Sequence, residues 1–199
     1  MILIGILGGV ASGKSEVSNR LRAHGAAVLD ADQMGHEVLR DAQVKDELRR
    51  RWGERVFDAS GEVDRRRVAE IVFAAAPQAE EELAFLEQLT HPRIGMRLRE
   101  QLAELRSGGV RAAVLDAPVM LKAGWDRMCD CLLFVDTPRQ IRLARARQRG
   151  WTEADFAARE AAQEPVEAKR SRAGMVLDNS SSRDQLYAQV DRFCRSLFE

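Results

Sequence analysis

The sequence predicts an α/β fold: a parallel five-stranded sheet flanked by helices, with a helical insertion and a shorter second excursion. Three observations carry that expectation. Short apolar runs bounded by turn signals recur along the chain, helical stretches lie between them, and one long region breaks the alternation. Strands alternating with helices mark βαβ units, and therefore a parallel sheet covered on both faces.

Ile2 to Leu7 (ILIGIL) is too short for a helix and rich in branched residues, so it is expected to be a buried strand. A helix is expected from Gly13 to Ala23, and a second short strand from Ala26 to Leu29, ending at Asp30. Val110 to Leu115, ending at Asp116, predicts a third strand, Cys131 to Val135 a fourth and Met175 to Leu177 a fifth. Between the second and third strands no strand pattern occurs. Leu83, Leu86 and Leu89, then Ile94, Leu98, Leu102 and Leu105, recur at helical spacing, with Pro92 expected to separate the two stretches. The excursion that follows Gly150 has an N-cap candidate in Thr152 and a breaker in Pro165. A last helix is expected over Arg183 to Leu197, with Leu186, Val190, Phe193 and Leu197 on one face. The expected organisation is a core of residues 1–40, 108–149 and 174–199, an insertion of 41–107 and a lid of 150–173.

Bulk composition narrows the classes. The 199 residues are 45% hydrophobic, which suits one domain with a real core and a smaller insertion. Lys+Arg and Asp+Glu both number 31, so no global basic field points to nucleic acid or membrane. The opening MILIGILGG has no basic residue ahead of its apolar run, as a secretory signal requires, and no segment approaches the roughly 20 apolar residues of a membrane span. Cys129, Cys131 and Cys194 are odd in number and form no Cys-x-x-Cys pair, so reduced thiols in a cytoplasmic protein are expected. No interface stripe separates itself from the core pattern.

Gly8-Gly9-Val10-Ala11-Ser12-Gly13-Lys14-Ser15 fits G-x-x-x-x-G-K-[ST], with a strand before it and a helix after it. Such a loop turns backbone N–H groups around phosphates, and the helix behind it presents its positive end to the anion. Lys14 is expected at the β- and γ-phosphates and Ser15 on Mg²⁺, with Gly9, Val10, Ala11, Ser12, Gly13 and Glu16 completing the nucleotide contact.

Asp30-Ala31-Asp32 lies at the carboxyl end of the second strand, where ligands of an open parallel sheet bind. Residues two apart on a strand share a face, so both acids are placed to take a hydroxyl proton or hold a magnesium-bound water. The plain alternative is that Asp32 caps a helix over Gln33 to Arg40. Asp116 has the same geometry at the third strand: either a magnesium ligand acting through water or a strand-terminating acid before Pro118. Arg139, Arg142, Arg145, Arg147 and Arg149 crowd one helix. Guanidiniums there suit the charge that spreads during phosphoryl transfer, and Arg142, Arg145 and Arg149 share a broad face; a solvated helix face is the bland reading.

In their combined order these features resemble the dephospho-CoA kinase family over nearly the whole chain. The landmarks are Gly8-Gly9 with Ser12-Gly13-Lys14-Ser15, Asp30-Ala31-Asp32, Trp52-Gly53, Gly61 with Asp64-Arg65, Val72-Phe73, His91-Pro92, Pro118, Gln163 and Asp178-Asn179. The resemblance implies a P-loop kinase fold with a core, a helical CoA-binding domain and a lid. It implies transfer of the ATP γ-phosphate to the ribose 3′-hydroxyl of dephospho-CoA. By the same resemblance Asp32 is the base, Arg142 or Arg149 stabilises transferring charge, and Asn179 sits near the adenine. Asp64, Arg65, His91 and Pro118 are implied on the acceptor side. Ala11, Glu16, Lys122, Val166 and Gly174 depart from the family's usual residues.

Other readings are a P-loop kinase of a nucleoside, nucleotide or shikimate-like acceptor, a nucleotide switch, and a binding module without turnover. The D-x-x-G at Asp32 to Gly35 follows the wrong strand for a switch, and no Asn-Lys-x-Asp occurs.

Overall fold

The computed structural model describes residues 1–74 and 77–198. Five strands form one sheet: β1 (Ile2–Gly8), β2 (Ala27–Leu29), β3 (Ala112–Leu115), β4 (Cys131–Asp136) and β5 (Met175–Asp178). Their order is β2-β3-β1-β4-β5, and every pairing is parallel. β1 is thus central, with Ile4 in register with Val114 on one side and Cys131 on the other. The expected parallel five-stranded sheet is present, each strand within two residues of its expected bounds.

Around the sheet lie α1 (Lys14–Ala23), α6 (Arg139–Gln148), α7 (Glu153–Ala161), α8 (Val166–Arg172) and α9 (Arg183–Phe198). Between β2 and β3 come α2 (Ala31–Val38), α3 (Ala42–Trp52), a 3₁₀ turn (Gly53–Val56), α4 (Arg65–Val72) and α5 (Ala79–Ser107). The chain divides into two compact units, Met1–Asp30 with Gln101–Glu199, and Ala31–Glu100. The second unit overlaps the expected insertion over residues 41–100 and begins earlier, at the first residue of α2.

In the first unit the alternation of β1 buries Ile4 and Ile6 with Val114, Leu133, Val135 and Leu177 of the neighbouring strands. Val17 and Leu21 of α1, and Leu186 and Val190 of α9, complete this core. Each large apolar side chain contributes roughly 1.5–3 kcal/mol relative to exposure. A smaller cluster joins Val10 to Ala146 of α6 and Phe156 of α7, so part of the excursion packs on the glycine-rich loop. The expected Thr152 cap is a full capping box with Asp155, and Pro165 precedes α8.

In the second unit Arg97 of α5 bonds Glu37 and Asp41. Glu82 accepts from Arg51 and from Trp52 Nε1, the latter at 2.7 Å. Among the described residues the region holds one isolated bridge, Phe57 to Val63, and no strand.

Pro92 does not separate two helices. It lies inside the 29-residue α5, correcting the expectation. A proline there removes one donor, that which would serve the Gln88 carbonyl. The surrounding turns are held by side chains: Thr90 Oγ1 donates to the Leu86 carbonyl and the Arg93 guanidinium to the Leu89 carbonyl, both at 2.7 Å. Burial of Leu89, Ile94 and Leu98 along the same helix outweighs the local loss. Among the described residues no helix is long and apolar enough to cross a membrane.

Pro92→Ala returns the missing donor and removes the ring. It is expected to raise unfolding free energy by about 1–2 kcal/mol, the helix gain of about 3 kcal/mol being partly offset by a freer unfolded chain. Urea unfolding checks this; a loss of stability would mean that the ring holds a bend the fold requires.

Candidate active site

The glycine-rich loop runs from the carboxyl end of central β1 into α1. Its conformation is set by where its carbonyls go. The Ser12 carbonyl accepts from Asn179 Nδ2 at 2.7 Å, Thr137 Oγ1 at 2.8 Å and the Arg145 guanidinium at 3.1 Å. The Val10 carbonyl accepts from Arg142, and the Gly9 carbonyl from the Ser12 N–H. These acceptors are occupied by the protein. The first N–H groups of α1 have no helical partner, and among the described residues no side chain caps that end. An anion is what such a terminus binds.

Gly13 makes this possible. Its φ is 99°, and a Cβ there would lie 2.4 Å from Asn179 Nδ2. Ala11 has φ 58°, a left-handed conformation that costs a non-glycine residue about 1–2 kcal/mol. The Ser12 hydroxyl is buried and has no hydrogen-bond partner among the described residues.

Lys14 opens α1. Burial lowers its pKa, nearby Asp116 pulls it back up, and Arg149 and Arg142 press it down again. A lysine gathered with arginines and one carboxylate is poised for phosphate oxygens.

The expected site residues divide into those that are spent and those that are free. Arg142 is 5% exposed and bonds the Thr137 and Val10 carbonyls and Glu160, the last at 2.5 Å, so here it braces the loop. Asn179 is equally buried, its amide held by Ser12 and Arg145. Glu16 accepts from the Tyr187 hydroxyl at 2.7 Å. In the second unit Asp64 caps α4, accepting from the Arg66 and Arg67 N–H groups.

Ser15 and Arg149 are exposed, and neither side chain has a bonding partner among the described residues. The same holds in the second unit for Asp32 and Arg65. Arg65 lines a cleft of about 180 Å³ with His36, Leu39, Arg40, Glu62 and Val63. His91 is half-buried within α5, and Pro118 is exposed after β3. α2 begins at Ala31, so Asp32 stands in its first turn. It neither caps a helix starting at Gln33 nor shares a strand face with Asp30. β2 ends at Leu29 and α2 begins two residues later, at Ala31.

Sequence reasoning missed Lys169, a buried lysine on α8 that lines a cleft with Gly9 and Val10. The signal available was Val166 and Lys169 three apart on one helix face, obscured by the charged run around them.

A parallel sheet with a braced phosphate loop at its central strand, a lysine at the helix start and arginines on α6 defines a P-loop kinase. The family model for dephospho-CoA kinase matches residues 2–185. Among curated relatives, the dephospho-CoA kinase of Thermobifida fusca is 36% identical over 192 residues, covering 96% of this chain and 93% of its own. That of Geobacter sulfurreducens is 35% identical over 201 residues, covering 100% of both chains. The crystal structure of TT1252 from Thermus thermophilus superposes with a TM-score of 0.82 at 34% identity, covering 100% of this chain and 98% of that one. Dephospho-CoA kinase from Campylobacter jejuni shares the fold, with a TM-score of 0.65 at 20% identity over 98% and 96% of the two chains. The chain belongs to the dephospho-CoA kinase family, whose members are ATP-dependent kinases acting on the 3′-hydroxyl of dephospho-CoA.

Asn179→Ala removes one of three donors from the Ser12 carbonyl. We expect a loss of about 1–2 kcal/mol in stability, read by denaturant unfolding, and weaker nucleotide binding. Unchanged nucleotide affinity would mean the loop holds its shape without Asn179.

Proposed function

We propose that this chain transfers the γ-phosphoryl group of ATP to the ribose 3′-hydroxyl of dephospho-CoA, with the residue roles that follow. The observation that carries the reading is the uncapped start of α1 behind a loop whose Gly9, Val10 and Ser12 carbonyls are turned to protein donors, with Lys14 at its head. Those N–H groups and Lys14 take the phosphates.

Asp32 is the base. Its carboxylate is exposed and unpartnered among the described residues, as a group that must accept a proton requires. The 3′-oxygen forms a bond to the γ-phosphorus as the bond to the β-phosphate oxygen breaks. The hydroxyl proton passes to Asp32, and ADP leaves. Arg149, exposed and unpaired among the described residues, is better suited than Arg142 to meet the transferring charge, because Arg142 is engaged with Glu160 and the loop. Asn179 acts through the loop it braces.

Mg²⁺ is assigned to Ser15 and, through water, Asp116. The Ser15 hydroxyl is free, and Asp116 lies near enough to Lys14 to raise its pKa, a donor set that suits a cation arriving with nucleotide phosphates. When bound, the ion would offset charge on the β- and γ-oxygens.

The second unit is assigned to the acceptor. Arg40 and Arg65, in the cleft beside Glu62, suit the pyrophosphate of dephospho-CoA. Residues 150–173 are assigned the lid, and the enzyme a reducing, cytoplasmic setting. All three cysteines are free, and burial pushes the Cys129 thiol up to about 12, far from a reactive thiolate.

The test is ADP release with Mg-ATP and dephospho-CoA, with CoA confirmed by mass. Lys14→Ala is expected to abolish turnover while unfolding stays cooperative. Asp32→Asn is expected to lower kcat by roughly a hundredfold or more, with ATP affinity within about twofold. An unchanged rate in Asp32→Asn would remove the base assignment, and turnover only with another acceptor would remove dephospho-CoA.

A further inference from the structure

Lys169 is 5% exposed, and among the described residues its ammonium makes one hydrogen bond, to Gln163 Oε1 at 2.7 Å. No described carboxylate lies within ion-pair distance of it. Glu160, which lines the same cleft, is already held by Arg139 and Arg142. A buried ammonium satisfied by a single neutral amide is costly to the folded protein. A cost of this kind is retained where an anion is to be received.

The surroundings say which anion. α8 packs against β1 and β4, and Lys169 borders a cleft of about 140 Å³ shared with Gly9 and Val10 of the phosphate loop. The charges that face it are Lys14 from α1, Arg142 from α6, Glu160 from α7 and Glu164 from the turn before α8. Burial lowers its pKa to about 8, with Lys14 pressing the same way, Glu164 opposing and Arg142 adding slightly. Lys169 feels the charge of Lys14, and among the described residues neither lysine makes an ion pair: Glu164 and Asp116 act on them only from beyond that distance, which leaves the close negative charge to be brought by a polyphosphate.

We infer that Lys169 is a second phosphate-binding lysine, holding the terminal phosphate of ATP from the Gly9–Val10 end of the loop. The α1 N–H groups and Lys14 hold the phosphates nearer the helix. Gln163 is a positioning residue that keeps the ammonium aimed before nucleotide arrives. The assignment rests on the phosphate-loop reading and is independent of which acceptor is phosphorylated.

Lys169→Met and Lys169→Gln, with no acceptor present, provide the test by calorimetry and thermal unfolding. ATP affinity is expected to fall about tenfold or more, the value of one charge-assisted contact, while ADP affinity stays within about threefold. Without nucleotide, Lys169→Met is expected to melt no lower than wild type, because an unpaired charge has left the interior. Equal losses for ATP and ADP, or no loss for ATP, would overturn the assignment. Should neither variant fold, the wild-type protein decides. Near pH 8.5 the free lysine is partly neutral, and a terminal phosphate would restore its proton. ATP binding should therefore take up protons that ADP binding does not, read from binding heats in buffers of different ionisation enthalpy. Equal proton uptake for the two nucleotides would overturn it. A wild-type protein that binds neither nucleotide would overturn the phosphate-loop reading beneath it.

Discussion

Three donors on the Ser12 carbonyl hold the phosphate loop, and the remaining site follows from that. They come from Thr137 after β4, Arg145 on α6 and Asn179 after β5. A glycine-rich segment loses much conformational entropy on ordering, so its shape has to be over-determined by partners. The sheet order supplies them. Because β4 lies beside β1 and β5 beside β4, the segments that leave these strands meet the loop at the same edge. With the carbonyls tied to protein, the N–H groups at the start of α1 remain for an anion.

The bracing also decides which cations can do chemistry. Arg142 and Arg145 carry the same charge and lie on the same helix as Arg149, yet both spend their guanidiniums on loop carbonyls. Arg142 is further tied to Glu160. Arg149 terminates that helix in solvent. Half-buried Lys14 and buried Lys169 make no ion pair among the described residues, the first at the α1 end of the loop and the second beside Gly9 and Val10. Such an arrangement sacrifices stability for readiness toward phosphate, a trade seen wherever buried charge awaits a ligand.

Much of this was legible in the sequence. Branched apolar runs ending in Asp30 and Asp116 announce parallel strands, and the loop motif announces the turn between β1 and α1. Thr152 announces the start of α7. What was not legible depends on contacts remote in sequence. Asn179 braces a carbonyl 167 positions away. Pro92 sits inside a helix because Thr90, Arg93 and a buried face compensate it. Asp32 falls in a helix rather than ahead of one because α2 begins at Ala31, two residues before the expected start at Gln33. Lys169 is indistinguishable in composition from Arg170 and Arg172 beside it, and only packing buries the one and leaves the others exposed.

The central claim is that the loop presents backbone N–H groups to phosphate. Amide chemical shifts of ¹⁵N-labelled protein titrated with Mg-ADP test it most directly. The largest downfield shifts are expected at Gly13, Lys14 and Ser15, the amides left without partners among the described residues. Largest shifts elsewhere, with these three unmoved, would contradict it.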